Sequence, residues 1–231
     1  MMVELFPEGF EERDLPDGVE LAAYTDAGGE ERLWAAFGSV SAGEVAAGWQ
    51  DRWREFHRPV RIGELWVGPP WESAPREAKA VVIDPGRAFG TGGHATTRLC
   101  LELLGDFSPR SLADIGCGSG VIAIAAAKLG FGPVLAVDHD PAAIEATRRN
   151  AEANGVALSI RLADPLQEGL PPADLVVANV SESFLSELRP SPETASVIGS
   201  GYFESQRPKP PGFRPEARRV ADGWAADLFL R

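Results

Sequence analysis

The chain has 231 residues, 44% of them hydrophobic, and sets 34 Asp and Glu against 22 Lys and Arg, a net charge of -12 with a pI near 4.8. That balance argues against binding naked nucleic acid, because neutralising phosphates takes clustered Lys and Arg, and it favours a basic partner or simply a well-solvated surface. The length suits one sizeable domain plus a small one, no apolar run is long enough to span a membrane, and Cys100 and Cys117 have no framework spacing, so a soluble, reduced, cytoplasmic protein is expected.

In chain order, residues 19–24 read as a strand and 32–37 as a strand or short helix, with a turn at Gly28-Gly29 between them. From Ser41 the apolar positions Val45, Trp49, Trp53 and Phe56 recur at i, i+4, i+8 and i+11, which predicts a linker helix over 41–56, capped by Ser41 and stopped by Pro59. Its tryptophans share one face, read here as interdomain packing. Residues 61–67 read as a strand and Gly68-Pro-Pro-Trp71 as a rigid turn, so 59–80 links a small unit, 1–58, to a larger one, 81–231.

A strand over 80–84 is followed by a glycine-rich loop to Thr97 and then a helix carrying Leu99, Cys100, Leu103 and Leu104. Such a loop reads as a lid, with Thr96 and Thr97 presenting hydroxyls from the first helical turn. His94 has three readings, general base, substrate contact or helix cap, and no companion residues at ligand spacing for a metal.

Residues 112–128 organise the rest: a short strand, a turn with glycines at 116, 118 and 120, and an apolar helix. In an open parallel sheet this loop lies beyond the carboxyl end of its strand, where missing Cβ atoms let a ligand approach the backbone. A dinucleotide fingerprint spaces its first and third glycines by five; Gly116 and Gly120 are four apart, and the acidic Asp114 suits a cation better than a phosphate. Asp138 closes the next strand, 134–138, where a carboxylate accepts hydrogen bonds from ribose hydroxyls. S-adenosylmethionine has a ribose, an adenine, a sulfonium and no phosphate. Together with Asp164 and Asn179, these residues point to a methyltransferase-type site.

The remaining segments alternate as an α/β, doubly wound domain should. Asp140 and Pro141 start a helix that Gly155 ends, and a strand over 158–162 leads to Asp164. A buried parallel strand over 174–178 delivers Asn179 to the same crevice, and Ser181 caps the helix that follows. Residues 195–198 form a further strand, and Asp222-Gly223 marks a closing hairpin.

The motif from Asp84 through Gly90-Thr-Gly-Gly-His94 to Cys100, followed by Asp114-Ile-Gly-Cys-Gly-Ser-Gly120, Ala178-Asn-Val180 and the Pro69-Pro-Trp71 turn, closely resembles the bacterial ribosomal protein L11 methyltransferases. The resemblance covers about residues 41–231. It implies a small N-terminal α+β substrate-recognition domain, a linker helix and a Rossmann-like seven-stranded catalytic sheet. It also implies methylation of lysine and N-terminal amines of ribosomal protein L11, with S-adenosylmethionine as donor and S-adenosylhomocysteine as product; a monomer is expected. The family's cofactor contacts fall on Thr97, Gly116, Asp138 and Asn179, beside Gly118, Gly120 and Asp164 from the crevice reading. Asn179 and His94 are the candidate catalytic residues.

The chain departs from the family pattern at Gly93, where Thr is usual, and at Ser181-Glu182, where Leu-Ala is usual. Both changes touch the substrate side, and the roughly 40 residues before Ser41 barely accommodate a ferredoxin-like recognition domain. Two alternatives follow: methylation of another protein or small-molecule amine, and cofactor binding without catalysis. The glycine spacing disfavours an NAD-linked oxidoreductase.

Overall fold

The computed structural model describes residues 11–15, 18–23, 27–38, 40–41, 58–84, 92–170 and 172–231; the predicted helix beyond Ser41 and the loop segment 85–91 lie outside them. The chain divides into two compact units, Met1–Asp51 and Arg52–Arg231. In the first, β1 (Glu11–Leu15) pairs antiparallel with β2 (Gly18–Ala22), and α1 (Ala27–Phe37) follows. Residues 32–37 are therefore helical, and Gly28-Gly29 lie in the first turn of α1 instead of in a preceding loop. Glu30 in that turn complements the helix dipole, and the good helix formers after it outweigh two glycines.

The second unit opens with a three-stranded sheet, β3 (Val60–Ile62), β4 (Leu65–Gly68) and β5 (Lys79–Val82). The single strand expected over 61–67 is a hairpin: Gly63 has φ +55°, and Ile62 pairs antiparallel with Leu65. Residues 59–80, read as a linker from sequence, thus supply most of a sheet. Its Ile62, Leu65, Val67, Val81 and Ile83 join the apolar cluster that holds Leu99, Ile122 and Ile124. Asn154 fastens the sheet further, accepting from the Val82 amide at 2.8 Å and donating to the Val82 carbonyl at 2.6 Å, so both backbone groups are paired.

The main sheet has seven strands, β6 (Leu112–Ile115), β7 (Val134–Asp138), β8 (Ser159–Leu162), β9 (Leu175–Asn179), β10 (Ser196–Phe203), β11 (Arg214–Ala221) and β12 (Trp224–Leu230), in the order β11-β12-β10-β9-β6-β7-β8. Strands β8, β7, β6, β9 and β10 run parallel, and β12 lies antiparallel between β10 and β11. β6 and β9 are buried almost throughout, as apolar runs between two helical layers must be. The helices are α2 (Ala95–Leu104), α3 (Val121–Leu129), α4 (Pro141–Ala153), α5 (Pro165–Glu168) and α6 (Glu182–Glu187). Asp140 and Ser181 cap α4 and α6 as expected.

From β6 the chain winds outward through β7 to β8, then returns across to β9 and β10. The reversal lies between β6 and β9, and a crevice opens beyond their carboxyl ends. One strand is longer than its sequence suggested. β10 runs on from residue 198 to Phe203 through a bulge between Ser200 and Tyr202, with Gly201 at φ +99°. Gly199-Ser-Gly201 reads as a strand end, but Tyr202 re-enters the core, its hydroxyl donating to the buried Asp227 carboxylate at 2.9 Å.

Candidate active site

The crevice is built from the ends of β6, β7, β9 and β10 and the start of α2. After β6, Gly116, Gly118 and Gly120 have φ of +70°, +55° and +80°, so the loop needs glycine at each for backbone reasons alone. Gly116 is exposed on the crevice side, while a β carbon on it would sit 2.9 Å from Val180 Cγ1, and one on Gly120 would meet Thr147. Gly116 therefore answers both to the turn and to the close approach of Val180.

Asp138 is buried at the end of β7, accepting from the Gly118 amide through Oδ2 and the Asp140 amide through Oδ1, each at 3.0 Å. Its carboxylate ties the first glycine loop to the second βα turn, and each oxygen keeps acceptor capacity for a further donor. Asp114, read from the sequence as a partner for a cation, instead lies fully buried under the loop. Its Oδ2 accepts from the Ala123 amide at 3.0 Å, replacing the side-chain cap that Gly120 cannot provide, and its Oδ1 has no partner. Burial first, and the nearby Asp138 charge second, raise its carboxyl from 3.8 to about 7 against the opposing Ala123 bond. Asp164 sits at the end of β8, where it caps α5 through the Leu166 amide at 3.0 Å. Burial pushes the Cys117 thiol up to about 12, beyond use as a nucleophile near neutrality.

The opposite side of the crevice brings Thr97 and Asn179 together. Asn179 Nδ2 donates to Thr97 Oγ1 at 3.3 Å, and Asn179 Oδ1 is buried without a partner. The helix after Asn179 is capped by Ser181, whose Oγ accepts from the Phe184 amide at 3.3 Å. His94 caps α2, with Nδ1 2.8 Å from Thr96 Oγ1 and 3.4 Å from the Thr96 amide, so of its three readings the cap accounts for this nitrogen.

A cleft of about 300 Å³ opens here, lined by His94, Thr96, Asn179, Val180, Ser181, Gly201 and Trp224. Gly201 and Trp224 were not singled out from sequence. The doublet Gly199/Gly201 in an apolar run was a usable bulge signal. Trp224, directly after the hairpin turn, carried none. At Gly201 a β carbon would lie 2.3 Å from the Val180 carbonyl oxygen, so this glycine lets β10 press against the segment just after Asn179.

The residues fit a nucleoside carrying a charged sulfur. The exposed Gly116 offers backbone without a side chain, the Asp138 carboxylate is fixed beside the loop by two backbone amides, and the buried Asn179 Oδ1 has no partner among the described residues.

A family model described as ribosomal protein L11 methyltransferase matches residues 30–208. A ribosomal protein L11 methyltransferase of Vibrio campbellii is 49% identical over 148 residues, 62% of this chain and 50% of the relative. One from Salmonella arizonae is 45% identical over 191 residues, 78% of this chain and 61% of the relative. The chain thus spans little more than half the length of these curated relatives. Among solved structures, a ribosomal protein L11 methylase from Lactobacillus delbrueckii subsp. bulgaricus superposes with a TM-score of 0.68 at 29% identity, covering 76% of this chain and 99% of that one. A Pyrococcus abyssi tRNA (uracil-54, C5)-methyltransferase, solved with S-adenosyl-L-homocysteine, shares the fold alone, at 16% identity and a TM-score of 0.52 over 75% of this chain and 44% of that one.

Proposed function

The chain belongs to the ribosomal protein L11 methyltransferase family, and on that footing we propose that it is an S-adenosylmethionine-dependent protein N-methyltransferase whose substrate is ribosomal protein L11. The observation that carries the reading is the meeting, beyond the carboxyl ends of β6, β7 and β9, of the Gly116 loop and Asp138 with a cleft lined by Asn179. The donor is held by the backbone of Gly116 and Gly118, by Asp138 at the ribose, by Asp164 near the base, and by Thr97 on the far side. Bound there, it supplies a methyl group on a cationic sulfur, which an amine displaces in line.

Such a displacement asks for alignment more than for covalent help. In this reading Asn179, which lines the cleft, orients the incoming amine so that its lone pair points toward the reacting carbon. An ammonium has no lone pair, so the amine must shed a proton before attack, and the half-buried cleft favours the neutral form by desolvation. His94 holds the first turn of α2 in place, and the released proton passes to water. A cytoplasmic setting, where ribosomal proteins are made, belongs to the same reading; among the described residues no helix is long and apolar enough to cross a membrane.

The test pairs calorimetric titration of S-adenosylhomocysteine with transfer of labelled methyl from S-adenosylmethionine to purified ribosomal protein L11. S-adenosylhomocysteine binding with methyl transfer supports the reading. Binding without transfer to L11, while other amines are methylated, moves the substrate elsewhere; binding with no transfer to any amine leaves a non-catalytic cofactor-binding protein.

A further inference from the structure

Beside the cleft stands an aromatic pair that the proposed reaction leaves unused. Trp224 lines the cleft, and Phe203 stacks on it with ring centroids 4.6 Å apart and planes 27° from parallel, yet Phe203 is 57% exposed. A lone exposed aromatic is ordinary, but this one is held in place from several sides. Its amide donates to Gln206 Oε1 at 2.8 Å, and Gln206 Nε2 donates in turn to Glu182 Oε2 at 2.7 Å. On the Trp224 side, the Glu204 amide donates to the Gly223 carbonyl at 2.9 Å, and Arg98 pairs with Asp222 at 2.5 Å. The edge of the His94 ring meets Trp224 at 5.0 Å. The result is a rigid apolar step leading from solvent to Asn179.

Resting on the methyl-transfer reading, we propose that Phe203 and Trp224 receive the alkyl stem of the amine-bearing side chain. This pair is then the part of the cleft that senses the length and branching of that stem. Among the described lining residues there is no carboxylate to neutralise an arriving ammonium. Affinity must therefore come from the stem lying along apolar rings with its polar head carried past them, and a cation over the Trp224 face adds to it. Glu182 acts here as a positioning residue, because it anchors Gln206 and, through Oε1, the Arg207 amide at 3.1 Å.

The experiment titrates ethylamine, n-propylamine, n-butylamine, n-pentylamine and tert-butylamine into the full chain saturated with S-adenosylhomocysteine, following binding by NMR. In the unaltered protein each added methylene should tighten binding by roughly two- to fourfold, the upper figure corresponding to full burial, with tert-butylamine well below n-butylamine. Phe203→Ala and Trp224→Leu should flatten that slope, and Trp224→Phe should restore most of it. Equal slopes in the variants, or no gain with length in the unaltered protein, overturn the proposal. Loss of S-adenosylhomocysteine affinity in Trp224→Leu would mark a folding defect, and the exposed Phe203→Ala then decides. If the unaltered protein fails to bind S-adenosylhomocysteine, the methyl-transfer reading falls, and the slope measured without it still judges the aromatic step.

Discussion

Asn179 Nδ2 donates to Thr97 Oγ1 across 3.3 Å, joining the end of a central strand to the first turn of α2, while the other half of the same amide is buried with no partner. Thr97 fixes which way the amide faces, and the free oxygen looks for a donor. Asn179→Ala should lower single-turnover methylation by about a hundredfold, the scale of a misaligned nucleophile, while S-adenosylhomocysteine affinity changes by about threefold at most. Only one neutral hydrogen bond is lost, so stability should fall by about 1 kcal/mol. Near-normal turnover in a folded variant would leave Asn179 without a part in alignment.

Asp138 has a structural duty as well as a proposed ligand. Asp138→Ala deprives the Gly118 and Asp140 amides of their acceptor and should weaken S-adenosylhomocysteine binding by about 1.5–3 kcal/mol, the range for hydrogen bonds to a charged group. Calorimetry reads this directly; unchanged affinity would sink the ribose assignment.

Two glycines separate by what surrounds them. Gly201→Ala brings a methyl to 2.3 Å from the Val180 carbonyl at φ +99°, and backbone cannot yield cheaply, so urea denaturation should show a loss of more than about 2 kcal/mol. Gly116→Ala meets only a Val180 methyl at 2.9 Å and should cost about 1–2 kcal/mol for its left-handed backbone, with a larger proportional loss in cofactor affinity. Equal stability losses in the two variants would contradict this ranking.

Asp114 predicts a pH dependence. Its carboxyl is raised to about 7 in the folded protein against 3.8 otherwise, so across that window the native state keeps a proton that the unfolded chain has released. Stability should therefore fall as pH rises from 3.8 toward 7, by about 1 kcal/mol per pH unit at the steepest, and level off above. Asp114→Asn keeps an acceptor for the Ala123 amide and removes the titration. The difference between its urea midpoints and those of the unaltered protein, followed through the window, should carry the slope; a constant difference would refute the assignment.

The strand-loop-helix at Gly116, the cap at Asp140 and the delivery of Asn179 were legible in the sequence because each depends on local spacing and on glycine or capping chemistry. The glycine-loop half of the candidate site follows from those signals. The hairpin at Gly63 was not legible, since a three-residue β3 has too few positions to show a period. Gly201 and Trp224 escaped for a different reason: what they do depends on β12 lying beside β10, a pairing between distant segments that no local pattern records. Asp114 was misread because its carboxylate turns inward to α3, a direction invisible in spacing.

The placement of β12 between β10 and β11 also bears on how the two halves of the crevice come into being. The glycine loop and Asp138 belong to one contiguous strand-helix-strand segment, and their bond spans 20 residues. β11 touches the sheet only through β12, and β12 reaches β6 only through β10 and β9, whose register with β6 pairs Leu112 with Leu175, a much longer closure than the Leu112–Val134 pairing of β6 with β7. Longer closures come later in assembly. During folding the glycine-loop side is thus complete while the aromatic wall is still absent, and pulse-labelled amide exchange should protect β6 and β7 ahead of β12.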